Sequence, residues 1–380
     1  MKPKLLLIYD YFYPAYKAGG PVQSLVNMAR SLQNFYDISV ITGASDLNDS
    51  AMLKGITPDA WNKVKLPGSE QSVAVWYASP GKLQKSKLRE LFAAIKPSII
   101  YINGMFSLDF VVRPLQAAGH TKTVVCPRGM LQQGALQGKR LKKQVYLAAV
   151  KLAGVFRNTS WHATNQEEKG DIQKQFGANA RISVAENIPK PPLQYVKTSN
   201  KSAGKLRLIY LSLISEKKNL LQAIELVAAS GKKVTLDIYG PVKDKAYWDA
   251  CEQKINSAPG NIRYHGDVIP ELVQSKFEEH DALILLTKGE NFGHALYECF
   301  SAGRPVITSF YTPWNDLEKK QAGWNVDINE SAQIRKTLEY VRDMNSEDFN
   351  AYCNNAHALA SSYFQRSGDV NVYRSMFRAD

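Results

Sequence analysis

The sequence predicts an α/β protein built from two doubly wound halves facing a central cleft, and three observations predict it. Short β-branched or apolar runs alternate with amphipathic segments from end to end. A Pro- and Lys-rich stretch, 187–205, interrupts that alternation near the middle, after which it restarts. At 380 residues the chain is also too long for one ordinary core.

In the first half, KLLLIY (4–9), YDISVIT (36–42), SIIYIN (98–103), KTVVC (122–126), TSWHAT (159–164) and ARISVA (180–185) read as strands. They are apolar or β-branched at successive positions, as strands buried on both faces are. Between the first two, PVQSLVNMARSL (21–32) places Val22, Leu25, Val26, Ala29 and Leu32 at helical spacing, with Pro21 suited to a first turn. The 187–205 stretch lacks periodicity and reads as a linker. Beyond it LRLIYLS (206–212), KKVTLDIYG (232–240), NIRYHG (261–266), DALILLT (281–287) and RPVITS (304–309) repeat the pattern, with helical stretches such as 220–230 between them. The expected organisation is an N-terminal domain over 1–190, a C-terminal domain over 191–355, and a helical segment, 356–380, returning to the N-terminal domain.

Composition fits a folded protein with 44% hydrophobic and 22% charged residues, and no apolar run reaches the ~20 residues that span a bilayer. Four scattered cysteines without CxxC spacing suggest neither a zinc site nor a disulfide framework, and a reducing cytoplasm is the expected setting. The net charge of +13 is uneven: residues 110–166 hold nine Lys and Arg and no acid. Such a field attracts nucleic acid, anionic lipid or phosphorylated substrates. Within it GKRLKKQVYLAAVKLAGVF (138–156) puts Leu141, Val145, Ala148, Ala149 and Leu152 on one helical face, with Lys139, Arg140, Lys142 and Lys143 at its start. That face fits packing on the core, and the basic end fits either solvent or an anionic membrane surface.

In doubly wound sheets ligands sit beyond the carboxyl ends of the strands. Three loops there could carry chemistry. Gly19-Gly20 precede a helix start, where close backbone approach and unpaired N–H groups favour an anion. Lys217 and Lys218 sit on the turn after 206–212 and could meet a diphosphate. The third loop, in GENFGHALYECFSAGRPVI (289–307), carries Glu290, with Glu298 about one turn into the helix that follows. Two acids there could be metal ligands, an acid–base pair or a clamp on sugar hydroxyls. No Asp-x-Asp or His cluster accompanies them, which favours the clamp, as does the repulsion between bare acids and phosphate.

These motifs together resemble a family 4 glycosyltransferase, the retaining, nucleotide-sugar-dependent class of GT-B fold with two Rossmann-like domains. Glu290 and Glu298 match its Glu-x(seven)-Glu signature, followed by AGRPVI. GGPVQSLVNMARSL, CPRGMLQQGAL, WHATNQEE and YTPWNDL…AGW are similar to members that build bacterial surface polysaccharides. The resemblance gives Glu290 and the amides of Asn291, Phe292 and Gly293 to the donor sugar and phosphates, and Glu298 to the ribose. It gives Lys218, with Lys217, to the diphosphate, and Gly19 and Gly20 to its far side. Asp267 and Val268 would lie by the base. Ser212-Leu213 stand where many members have an Arg. Pro127-Arg128-Gly129 stand where many have a His, so Arg128 would stabilise the leaving group.

The resemblance implies transfer of a sugar from a nucleotide diphosphate sugar to a lipid-linked saccharide, without metal or other cofactor, by front-face displacement. The basic cluster at the start of 138–156 adds an expectation of peripheral contact with anionic lipid, at the cytoplasmic face of the inner membrane. A non-catalytic GT-B partner subunit is the alternative. Nucleic acid is not an expected partner, since the two glutamates would oppose its backbone.

Overall fold

The computed structural model describes residues 2–132, 140–192, 194–195, 200–367 and 370–378. The chain divides into two units, Met1–Ile188 with Ser367–Asp380, and Pro189–Arg366. The first contains β1 (Lys4–Ile8), β2 (Asp37–Gly43), β3 (Trp61–Lys65), β4 (Ser72–Ala78), β5 (Ile99–Asn103), β6 (Lys122–Cys126), β7 (Thr159–Ala163) and β8 (Ile182–Val184). They form one sheet in the order β3-β4-β2-β1-β5-β6-β7-β8, parallel except where β3 meets β4. The composition of β1 shows why. Leu5 and Leu7 enter one core and Leu6 and Ile8 the other, and none of the four touches solvent. A strand with leucine on both faces needs cover on both, as a parallel layered sheet provides.

The second unit holds β9 (Leu206–Leu211), β10 (Val234–Tyr239), β11 (Ile262–Tyr264), β12 (Ala282–Leu285), β13 (Val306–Ser309) and β14 (Gly323–Val326). All neighbours are parallel, in the order β11-β10-β9-β12-β13-β14. The order reverses between β9 and β12. Here the crossovers part to opposite faces of the sheet, leaving the carboxyl ends of these strands open to a ligand. Both units are thus doubly wound, as expected. Strands β3, β4 and β14 were not expected from the sequence. The first pairs antiparallel at the edge and exposes Trp61, Lys63 and Lys65, so it lacks a continuous apolar run.

The end of the chain differs from expectation in where it changes unit. The helix Ser346–Ser367 buries Phe349, Cys353, Ala356 and Ala360 in the second unit, a stripe that continues past residue 356. Only from Ser367 does the chain join the first unit, through the helix Asn371–Met376. Tyr373, Met376 and Phe377, spaced to share one helical face, are all buried there. The Phe377 ring meets Tyr101 edge-on at 5.7 Å and Tyr36 at 5.9 Å. The Tyr373 hydroxyl donates to the Glu186 carbonyl at 2.7 Å.

A second correction concerns the helix Arg140–Leu152. The face carrying Leu141, Val145, Ala148, Ala149 and Leu152 points to solvent, with Leu141 78%, Val145 64% and Leu152 93% exposed. The opposite face packs instead: Leu147 and Val150 are buried, and the Tyr146 hydroxyl donates to the Met105 carbonyl at 2.8 Å. The helix has two apolar stripes, and its neighbours accept the shorter-run one. Lys139 lies outside the described residues.

Phe377→Ala should lower the stability of the first unit by about 3–5 kcal/mol, since a filled aromatic site becomes a cavity. Urea unfolding read from that unit checks this. A change below about 0.5 kcal/mol, as at a surface site, would contradict the packing described.

Candidate functional site

The site is built where β9 and β12 adjoin. After β9 the chain makes a short 3-10 turn, Glu216–Lys218, and enters the helix Leu220–Ala229 through Asn219 in a left-handed conformation. After β12 it runs through Thr287 to Gly293 into the helix His294–Ser301. The two loops are joined by their backbones: the Lys288 amide donates to the Lys217 carbonyl at 2.8 Å, and the Thr287 hydroxyl to the same carbonyl at 3.2 Å. Parallel pairing thus continues past the strands and fixes the loops against each other.

This brings the Lys218 ammonium onto the Glu290 carboxylate. The two side chains are 19% and 10% exposed, so the pair is reachable without being freely solvated. A third loop, after β13, supports it, with the Glu290 amide donating to the Tyr311 carbonyl at 2.9 Å. Three consecutive carboxyl-end loops therefore hold one glutamate in place.

Gly293 opens the next helix at φ +78°, and a Cβ there would come within 2.8 Å of Leu296. Only glycine makes that turn without strain. Phe292 is buried against Trp314 at 5.8 Å between ring centroids, and its carbonyl accepts from the Trp314 indole at 2.6 Å. The Phe292 side chain is therefore structural, and its amide is what the loop can offer a ligand. With Asn291 and Gly293 it leads into a helix start that favours anions. Glu298, one turn on, receives the Lys190 ammonium at 3.2 Å, and the Tyr297 hydroxyl donates to the Lys190 carbonyl at 2.7 Å. Lys190 lies in the 187–205 stretch that the sequence marks as a linker. A basic residue inside PKPP was its one signal.

Asp267 and Val268 follow β11 at the sheet edge, two strands from β9, with Asp267 exposed and Val268 half-buried. The backbone before them is pinned by the Gly240 amide donating to the Gly266 carbonyl at 2.8 Å. Beneath, His265 stacks on Tyr239 with centroids 4.8 Å apart and bonds Asp237, which also meets His280 at 3.0 Å. The His280 bond, helped by His265, draws the Asp237 carboxyl down to about 2 against the cost of its partial burial.

Gly19, Gly20 and Arg128 belong to the first unit. Gly19, at φ +72°, caps the helix Gly20–Leu32. The preceding loop is shaped by Asp46, whose carboxylate accepts from the Tyr16 amide at 2.8 Å and the Lys17 amide at 3.1 Å. Arg128 follows β6 and is only 9% exposed. Its guanidinium donates to Tyr101 at 3.0 Å and to the side-chain oxygens of Asn103 and Asn187. That geometry holds Arg128 in a buried network of its own unit, with Tyr101, Asn103 and Asn187 as its partners. His162, hydrogen-bonded to Tyr101 at 2.8 Å, is pushed down to about 3 by burial and by Arg128, and is neutral. The WHATNQEE motif serves the same region. Asn165 caps the helix Gln166–Phe176, and buried Glu168 accepts from the Gly129 amide at 2.6 Å and the Thr164 amide at 2.8 Å. Among the described residues no group of three His, Cys, Asp or Glu is placed to hold a metal ion.

A carboxyl held below its unfolded value stabilises the fold above that value and loses this contribution as pH falls through about 2. Asp237→Asn should therefore lower the urea midpoint at neutral pH and flatten its fall between about pH 4 and about pH 2. An unchanged acid limb would show that the His280 and His265 bonds add nothing to folding.

Residues 194–357 match the family model described as glycosyl transferases group 1. No curated protein matches the chain. Among solved structures, HepE of Anabaena is similar over 98% of this chain and 99% of its own, at 16% identity and TM-score 0.72. Sucrose-phosphate synthase of Thermosynechococcus elongatus covers 99% of both chains at 14% identity and TM-score 0.75. WaaG covers 96% of this chain and 99% of its own at 14% identity and TM-score 0.62. Identities this low establish the fold, which is GT-B. Fold and family match together support a GT-B glycosyltransferase, its group 1 signature resting on residues 194–357.

Proposed function

We propose that this protein is a retaining family 4 glycosyltransferase that moves a sugar from a nucleotide diphosphate sugar to a lipid-linked saccharide during bacterial surface polysaccharide synthesis. The observation that carries the reading is the Lys218–Glu290 contact at the point where the second sheet reverses its strand order. An ammonium, a carboxylate and a helix start converge there, which suits a ligand with phosphates at one end and hydroxyls at the other. HepE, described in complex with UDP and glucose, and WaaG, described as involved in lipopolysaccharide biosynthesis, support the same reading.

On this reading the diphosphate draws Lys218 toward itself and meets the amides of Asn291, Phe292 and Gly293. Glu290, released from Lys218, accepts from hydroxyls of the donor sugar, and Glu298 accepts from the ribose. Lys217 adds charge at the same turn, Asp267 and Val268 border the base, and Gly19 and Gly20 offer a second anion-favouring helix start. The bond from the anomeric carbon to the phosphate oxygen breaks as the acceptor oxygen bonds the same face. The acceptor's proton passes to the departing diphosphate. Lysine and backbone dipoles meet the charge, so no divalent metal is required.

Glu290→Gln should cut transfer at least about tenfold with the fold intact, and Glu298→Gln should weaken donor binding about ten- to a hundredfold. Nucleotide diphosphate release from a panel of nucleotide sugars, run also in EDTA, reads both. Wild-type turnover in the Glu290 variant would refute the clamp, and full loss in EDTA restored by magnesium would refute metal independence. A wild type inert with every donor would favour a non-catalytic subunit.

Attachment to the cytoplasmic face of the membrane is part of the proposal, and the outward stripe of Leu141, Val145 and Leu152 supports it. Exposed Lys142 borders the stripe, within a stretch of chain free of acids. Burying a large aliphatic side chain is worth about 1.5–3 kcal/mol, and each lysine near an anionic leaflet adds about 1 kcal/mol. Wild type should sediment with anionic vesicles and partly resist salt, whereas Leu141→Glu with Leu152→Glu should not sediment. Equal sedimentation of both proteins would exclude this face.

A further inference from the structure

By sequence Lys190 is one residue of a proline-rich connection, yet the structure holds it firmly. Its carbonyl accepts from the Tyr297 hydroxyl at 2.7 Å, and Tyr297 is 1% exposed among Phe292, Trp314 and Tyr363. Pro189 and Pro191 on either side restrict the backbone. Its ammonium lies 3.2 Å from Glu298, with the two side chains 32% and 19% exposed. A half-exposed ion pair of this kind adds little to folding. Such anchoring calls for another reason.

The charges around the site supply one. Glu290 and Glu298 flank the start of the helix His294–Ser301, where phosphates would be received. Two bare carboxylates would repel them. Lys218 covers Glu290, and Lys190 covers Glu298. The turn after β9 offers no further cation before Lys217, because its second residue is Leu213.

We propose that Lys190 is a donor-binding residue, its ammonium shared between Glu298 and the diphosphate oxygens, supplying a further cation of the phosphate subsite beside Lys218 and Lys217. The inference rests on the nucleotide-sugar reading of the same site. An ammonium that meets phosphate should matter for the diphosphate and little for the nucleoside. One that merely props Glu298 should matter equally for both.

The experiment is calorimetric titration of wild type, Lys190→Met and Lys190→Arg with UDP, GDP and ADP, and then with the nucleoside of whichever binds. Lys190→Met should weaken the diphosphate about ten- to a hundredfold, the range of a charge-assisted bond, and leave the nucleoside within about twofold. Lys190→Arg should restore most of the loss, and with a donor sugar KM should rise more than kcat falls. Wild-type affinity in Lys190→Met, or equal losses for diphosphate and nucleoside, would overturn the assignment alone. A wild type that binds none of the three diphosphates would overturn the nucleotide-sugar reading as well.

Discussion

The pairing of β9 with β12 is the constraint on which the site depends. Parallel strands cannot be joined by a tight turn, so neighbours in such a sheet come from distant parts of the chain. Here the sheet sets Ala282 beside Leu208, and its hydrogen bonding runs on into the loops through Lys288 and Lys217. Lys218 and Glu290, 72 positions apart, are left as neighbours at the carboxyl edge. Were the order not reversed at this point, a helix would cover that edge and the pair would have no access to a ligand.

The polar chemistry of the two units is of different kinds. In the second unit the acid–lysine pairs Lys218–Glu290 and Lys190–Glu298 are partly exposed. In the first, Arg128 is enclosed by Tyr101, Asn103 and Asn187, with Glu168 organising the turn behind it. A buried guanidinium is tolerated only with its donors satisfied. Two of its neighbours lie at the end of that unit: Asn187 bonds it directly, and Tyr373 fixes Glu186. The network thus ties the exit of the chain to the carboxyl end of β6 and to the returning C-terminal helix.

Much was legible in the sequence. Within β1 and β5, residues 5–8 and 99–102 are apolar at every position, which favours strands covered on both faces. The loop around Glu290 was legible too, because Gly293 and the apolar periodicity after it mark a helix start. Strand β3 was not, since an edge strand with one solvated face has no continuous apolar run, and in β14 Gly323 and Asn325 interrupt the apolar residues.

The sequence by itself determined the local preferences: that the continuous apolar runs are strands, where the helix after Gly293 begins, and that two acids stand one loop and one turn apart. Tertiary structure alone decided which face of Arg140–Leu152 turns inward, because that helix carries two apolar stripes and only its neighbours choose between them. It also decided that Arg128 is enclosed and that Lys190 lies on Glu298. Periodicity records the environment of a residue along its own element, whereas an ion pair between residues 190 and 298 exists only once the Tyr297 hydroxyl has fastened the connection to a helix that folds from another part of the chain.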